Sequence, residues 1–238
     1  MKEVIAMHGW GGDAQIWIAW RKYFKRHGWL WQTADRGYGK AKPRYPNWSK
    51  TTFKNSEHQR VVICHSLGTH LLDEQILKEA THIVLISSFS RFVPNNKESR
   101  AIKTALKGMQ QAFGTLLEKD MLKTFFKKAC SPHPTSALPI ASINHNLTSS
   151  GRKKLQSDLE LLINTSGLPC GFPLEARVLT IYGESDAILL PAANILLEKD
   201  LKKHLQISPT SWIINGEGHF VFMPEIMARV ENWLEVSK

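Results

Sequence analysis

Three side chains far apart along this chain, Ser66, Asp186 and His219, are of the types that together perform nucleophilic chemistry. Ser66 lies in Cys64-His65-Ser66-Leu67-Gly68, between the β-like run Arg60-Val61-Val62-Ile63 and a helix-like run from Thr69 to Ala80. A serine on a tight strand-to-helix turn has its Oγ pushed out of the sheet above a helix N-terminus. That hydroxyl becomes a nucleophile when a histidine takes its proton. His219 follows a β-branched run, in Gly216-Glu217-Gly218-His219-Phe220, and so belongs on a loop at the same carboxyl edge as Ser66. Asp186, in Tyr182-Gly183-Glu184-Ser185-Asp186, also follows a strand-like run and can orient the imidazole and stabilise its cation. Glu184, two residues nearer that strand, is the rival acid. Each pentapeptide alone is common. The order nucleophile, acid, base, with each member at a strand end, is specific.

Acyl transfer also needs two donors for an oxyanion. The Leu67 N–H, just after the nucleophile, is one. The Trp10 N–H, in the glycine-rich turn His8-Gly9-Trp10-Gly11, is the candidate for the second. The Trp10 indole can also flank a substrate pocket, and His8 is expected to brace the turn. His65 and Phe220, next to nucleophile and base, are further pocket candidates. His27, His58, His70, His82, His133, His145 and His204 are read as solvated or structural. No metal-ligand spacing or phosphate-binding glycine loop is present, so no metal or cofactor is expected.

The elements that must position these groups alternate strand and helix. Strands are predicted at Val4–Met7, Trp29–Thr33, Arg60–Cys64, His82–Ile86, Arg177–Tyr182 and Ser211–Ile214. A helix over Ala14–His27 carries Trp17, Trp20 and Phe24 on one face. The pattern implies an α/β fold, a mostly parallel sheet of about six strands with helices on both faces. Residues 1–88 and 174–238 form this core. Residues 89–173, divided by Pro132, Pro134 and Pro139, read as a helical cap inserted over the carboxyl ends of the strands, where ligands bind in open parallel sheets. Met109, Phe113, Leu116 and Leu117 of the cap are expected to cover an acyl chain.

The chain's formal charge is +10. The cap holds twelve basic against five acidic side chains, a net +7. Lys97, Arg100, Lys103 and Lys107 share one helical face, and Lys119, Lys123 and Lys127 make a second stripe. Like charges at this spacing cost a few tenths of a kcal/mol per pair, about 0.2–0.5. An acidic partner would offset that cost; a plain solvated face is the alternative. Single-stranded nucleic acid fits less well, because aromatic and basic residues do not interleave. The sequence lacks a run of about 18 apolar residues for a membrane span, and Met1–Gly9 is too short and glycine-bounded for a signal peptide. Three cysteines suggest reduced thiols, and the expectation is a cytoplasmic monomer.

With these residues in place, the chain resembles the α/β-hydrolase superfamily over essentially its full length. It looks most like the carboxylesterases of biotin synthesis that demethylate pimeloyl-acyl-carrier-protein methyl ester. The matching pieces are His8-Gly9-Trp10-Gly11, His65-Ser66-Leu67-Gly68, Tyr182-Gly183 with Asp186, and Gly218-His219 followed by Phe220 and Pro224. The resemblance implies a Ser66–His219–Asp186 triad, an oxyanion hole at Trp10 and Leu67, and an acyl carrier protein on the basic cap. Cys64 stands where the superfamily usually has glycine, Thr69 replaces a frequent second glycine, and two early strands of larger relatives are missing. General short-chain esterases, thioesterases and C–C hydrolases share the triad motifs, and they need no carrier protein.

Overall fold

The computed structural model describes residues 1–50, 58–95, 99–137 and 147–236. Six strands form one sheet: β1 (Lys2–Met7), β2 (Leu30–Thr33), β3 (Gln59–His65), β4 (His82–Ile86), β5 (Arg177–Gly183) and β6 (Thr210–Ile214). Their order is β2-β1-β3-β4-β5-β6, and every neighbouring pair is parallel. Apolar registers such as Val4↔Val61, Ile63↔Val84 and Ile83↔Val178 run across the centre. The central strands β1, β3 and β4 are buried nearly end to end, whereas edge strand β6 alternates half-buried and exposed positions until its last residue, Ile214, which is buried. Continuous burial is what a parallel sheet covered on both faces requires.

Helices α1 (Ile18–Arg26) and α8 (Pro224–Glu235) cover one face. There Trp17, Trp20 and Phe24 pack with Trp29, Ile226, Val230 and Leu234. On the other face α3 (Glu74–Lys78) and α7 (Pro191–His204) contribute Ile76, Leu77, Leu197 and Leu201. The predicted continuous helix over Thr69–Ala80 is instead two pieces, α2 (Gly68–Leu71) and α3. Leu72 is extended, and the Asp73 side chain accepts the Gln75 N–H to start a new helix. One turn of helix behind Ser66 leaves little macrodipole there, so the expected help from a helix N-terminus is small.

Residues 89–173 contain no strand among the described residues; they hold α4 (Ser99–Ala112), α5 (Glu118–Cys130) and α6 (Ser149–Asn164). A third apolar cluster joins them to the carboxyl end of the sheet: Leu106, Phe113, Leu122, Phe126, Leu155 and Leu159 pack with Trp10 and Leu67. Helix α6 is also fastened by polar contacts. Buried Asp158 receives the Arg36 guanidinium at 2.8 and 2.6 Å and the Tyr38 hydroxyl at 2.6 Å.

His82, on β4, gives the fold an acid limit. Burial, reinforced by the Arg177 charge, pushes its pKa down to about 4, and its Nε2 has no hydrogen-bond partner among the described residues. The unfolded chain therefore binds an extra proton between about pH 6.5 and 4, so stability falls as pH drops through that window. The shift corresponds to about 3 kcal/mol at full effect. Urea unfolding of wild type and His82→Leu at pH 7, 5.5 and 4.5 should show a shallower decline in the variant.

Candidate active site

Strand β1 runs to β2 on one side, and the chain then returns to β3 on the other side of β1. The crevice between the ends of β1 and β3 is thus a topological switch point. The turn Gly9–Trp10 and the residue Ser66 flank it. Ser66 has φ of +53°, a left-handed conformation that costs a non-glycine residue about 1–2 kcal/mol. The turn is held by its N–H, which donates to the Ile86 carbonyl at 2.9 Å. Gly9 has to be glycine here, since a β-carbon would lie 2.8 Å from Ser66 Cβ and 3.1 Å from the His65 ring. Burial pushes the Cys64 thiol up to about 12, so this neighbour holds no thiolate to rival the hydroxyl.

His219 Nδ1 donates to Asp186 Oδ2 at 2.8 Å. The carboxylate can only accept, so the proton sits on Nδ1 and Nε2 is the basic nitrogen. Asp186 Oδ1 accepts the Ile188 and Leu189 N–H groups at 2.7 and 2.9 Å. Burial opposes its charge, but the His219 ring and these two amides hold its carboxyl below the usual carboxylate range. Glu184 is exposed, and among the described residues it accepts only the Gly216 N–H, at 3.2 Å. Asp186 is therefore the acid that meets the imidazole.

Ser66 is 5% exposed and His219 2% exposed, and neither Ser66 Oγ nor His219 Nε2 is hydrogen-bonded among the described residues. His65, the residue before Ser66, has its ring 4.9 Å from the His219 ring. The Leu67 N–H and Trp10 N–H are likewise uncommitted among the described residues and so free to receive a ligand. His8 braces their turn. Its Nε2 accepts the Arg36 N–H at 3.1 Å, leaving Nδ1 to donate to the Gly9 carbonyl at 2.8 Å.

The other predicted site residues divide. The Trp10 indole donates to the Leu155 carbonyl at 2.8 Å and meets Phe113 and Phe125 edge-on, which anchors the insertion above the turn. Met109 and Phe220 pack against the apolar cluster that holds Phe113. Leu116 does not line a pocket: it is 99% exposed, because Gly114 turns the chain left-handed after α4 and swings the next residues into solvent. Leu117 follows it outward. His65 is buried behind the site and stacked on Phe220 with centroids 4.6 Å apart. Its Nε2 donates to the His219 carbonyl at 3.1 Å, a support for the His219 loop that no sequence signal indicated. Burial and the nearby His219 hold its pKa well below the ordinary histidine value, so it stays neutral.

Arg100, Lys103 and Lys107 on α4, and Lys119, Lys123 and Lys127 on α5, are all exposed. Lys97 lies outside the described residues. A cavity of about 670 Å³ lined by Trp48, Arg60 and Glu79 sits at the amino ends of the strands, away from Ser66.

No protein-family model matches the chain, and no curated protein sequence matches it. Solved structures do. An esterase from Exiguobacterium antarcticum superposes with a TM-score of 0.67 at 15% identity, covering 99% of this chain and 91% of its own. A hydrolase from Oleispira antarctica does so with 0.67 at 12% identity, over 99% and 91%. An epimerase solved with bottromycin A2 gives 0.65 at 13%, over 98% and 90%. The chain has the α/β-hydrolase fold. The epimerase among these neighbours illustrates that the fold by itself does not select the reaction.

Proposed function

We propose that this chain is a serine carboxylesterase that hydrolyses the methyl ester of pimeloyl-acyl-carrier-protein in biotin synthesis. The observation that carries the hydrolytic part is the Asp186–His219 hydrogen bond at the same carboxyl edge of the sheet as a serine held in a strained turn at the switch point. Ser66 Oγ attacks the ester carbonyl and passes its proton to His219 Nε2. The oxyanion is received by the N–H groups of Leu67 and Trp10. His219 then gives the proton to departing methanol, leaving an acyl-Ser66 ester. Water, deprotonated by the same nitrogen, releases the free carboxylate and restores Ser66. Residues 89–173 act as the cap, with Trp10, Met109, Phe113 and Phe220 around the acyl chain. No metal or cofactor enters any step.

The carrier-protein part rests on the exposed basic stripes. Acyl carrier proteins are strongly acidic, and a basic surface beside the pocket steers such a partner and fixes its register. The substitutions Lys97→Glu, Arg100→Glu, Lys103→Glu and Lys107→Glu, made together, separate the readings. Hydrolysis of carrier-bound ester should fall on the order of 10²-fold, about 0.7 kcal/mol per reversed charge, while cleavage of p-nitrophenyl esters holds. Equal loss of both, or of neither, would favour a general esterase, thioesterase or C–C hydrolase without a carrier protein.

A further inference from the structure

The loop that carries His219 is gripped from outside by the end of α5. Gly218 lies against the Ser131 carbonyl, at the C-cap of α5, so closely that a β-carbon would run into it. Two residues beyond Ser131, the His133 ring donates through Nε2 to Glu217 Oε2 at 3.0 Å. Glu217 is 9% exposed, and its carbonyl accepts the Ser185 N–H at 2.8 Å. From inside, His65 holds the His219 carbonyl and Asp186 holds the ring. The three residues 217–219 are thus fixed on one side by the ends of β3 and β5 and on the other by the insertion. The hydrolytic chemistry uses neither His133 nor Glu217, and His133 is too exposed to be core packing.

We propose that His133 and Glu217 are positioning residues for His219, fastening its loop to the end of α5. The inference rests on the reading of His219 as general base. The insertion then supports the base as well as covering the site. A catalytic group displaced by about 1 Å can lose on the order of 10²-fold in rate, so partial loosening of this loop should be visible in kcat.

The test compares full-length wild type, His133→Ala, Glu217→Ala, the double variant and His133→Gln, which keeps an N–H donor. Each is assayed on a p-nitrophenyl ester, by hydrogen exchange over residues 215–222, and by thermal unfolding. Each alanine variant should lose about tenfold in kcat, with KM within about twofold and Tm within about 2 °C. The double variant should be no worse than the poorer single, amides 217–219 should exchange faster, and His133→Gln should recover most of the rate. Wild-type kcat in both single variants, multiplying losses in the double, or a loss that tracks Tm would overturn the proposal. If wild type neither cleaves the ester nor reacts with a fluorophosphonate, the general-base reading fails. The exchange data then decide the fastening alone: faster exchange upholds it and unchanged exchange rejects it.

Discussion

Replacement of Ser66 by alanine is expected to lower kcat/KM for ester hydrolysis on the order of 10⁴-fold or more, with the fold intact. The Oγ is the only atom removed, and it makes no hydrogen bond among the described residues, so little stability is at stake. The backbone strain at φ +53° is retained by alanine, which suffers the same Cβ–carbonyl crowding as serine. Steady-state hydrolysis of a p-nitrophenyl ester, paired with urea unfolding, checks both halves. Activity within about tenfold of wild type in a folded variant would remove Ser66 from the chemistry.

The second large effect is expected at Asp186→Asn. Asparagine has the same shape, and its oxygen can still accept from Ile188 and Leu189. Its amide nitrogen would face His219 Nδ1, however, and force the tautomer that carries the proton on Nε2. That nitrogen could no longer take a proton from Ser66, and a loss on the order of 10⁴-fold in kcat is expected. Glu184→Gln should change kcat by less than about threefold, since Glu184 only caps the Gly216 N–H from an exposed position. Comparable losses in the two variants would mean that the base is not oriented by Asp186 alone.

Much of this architecture was legible in the sequence because it depends on local signals. Short apolar runs gave the six strands to within a residue or two at each end, since buried parallel strands show no polar alternation to confuse the reading. Ser66, Asp186 and His219 each follow a strand-like run, and this placement is visible in the sequence itself. What escaped notice depends on contacts between distant segments. The Glu217–His133 link spans 84 positions, the His65–His219 link 154, and the Arg36–Asp158 link 122. No periodicity encodes such pairs. The break after Leu71 was hidden because residues 69–80 have acceptable helical composition, and only the Asp73 cap shows the restart. Leu116 misled for a related reason: an apolar residue near a helix end is buried or exposed according to the turn beside it, and Gly114 sends this one outward.

Activation of the Ser66 hydroxyl by His219 at the rim of the sheet is read out by treating the intact protein with a fluorophosphonate and locating the adduct by mass spectrometry. A single phosphonyl group on Ser66 is predicted, formed rapidly by wild type and at least on the order of 10²-fold more slowly by His219→Ala. An adduct on another residue, or equal labelling rates in wild type and His219→Ala, would contradict it.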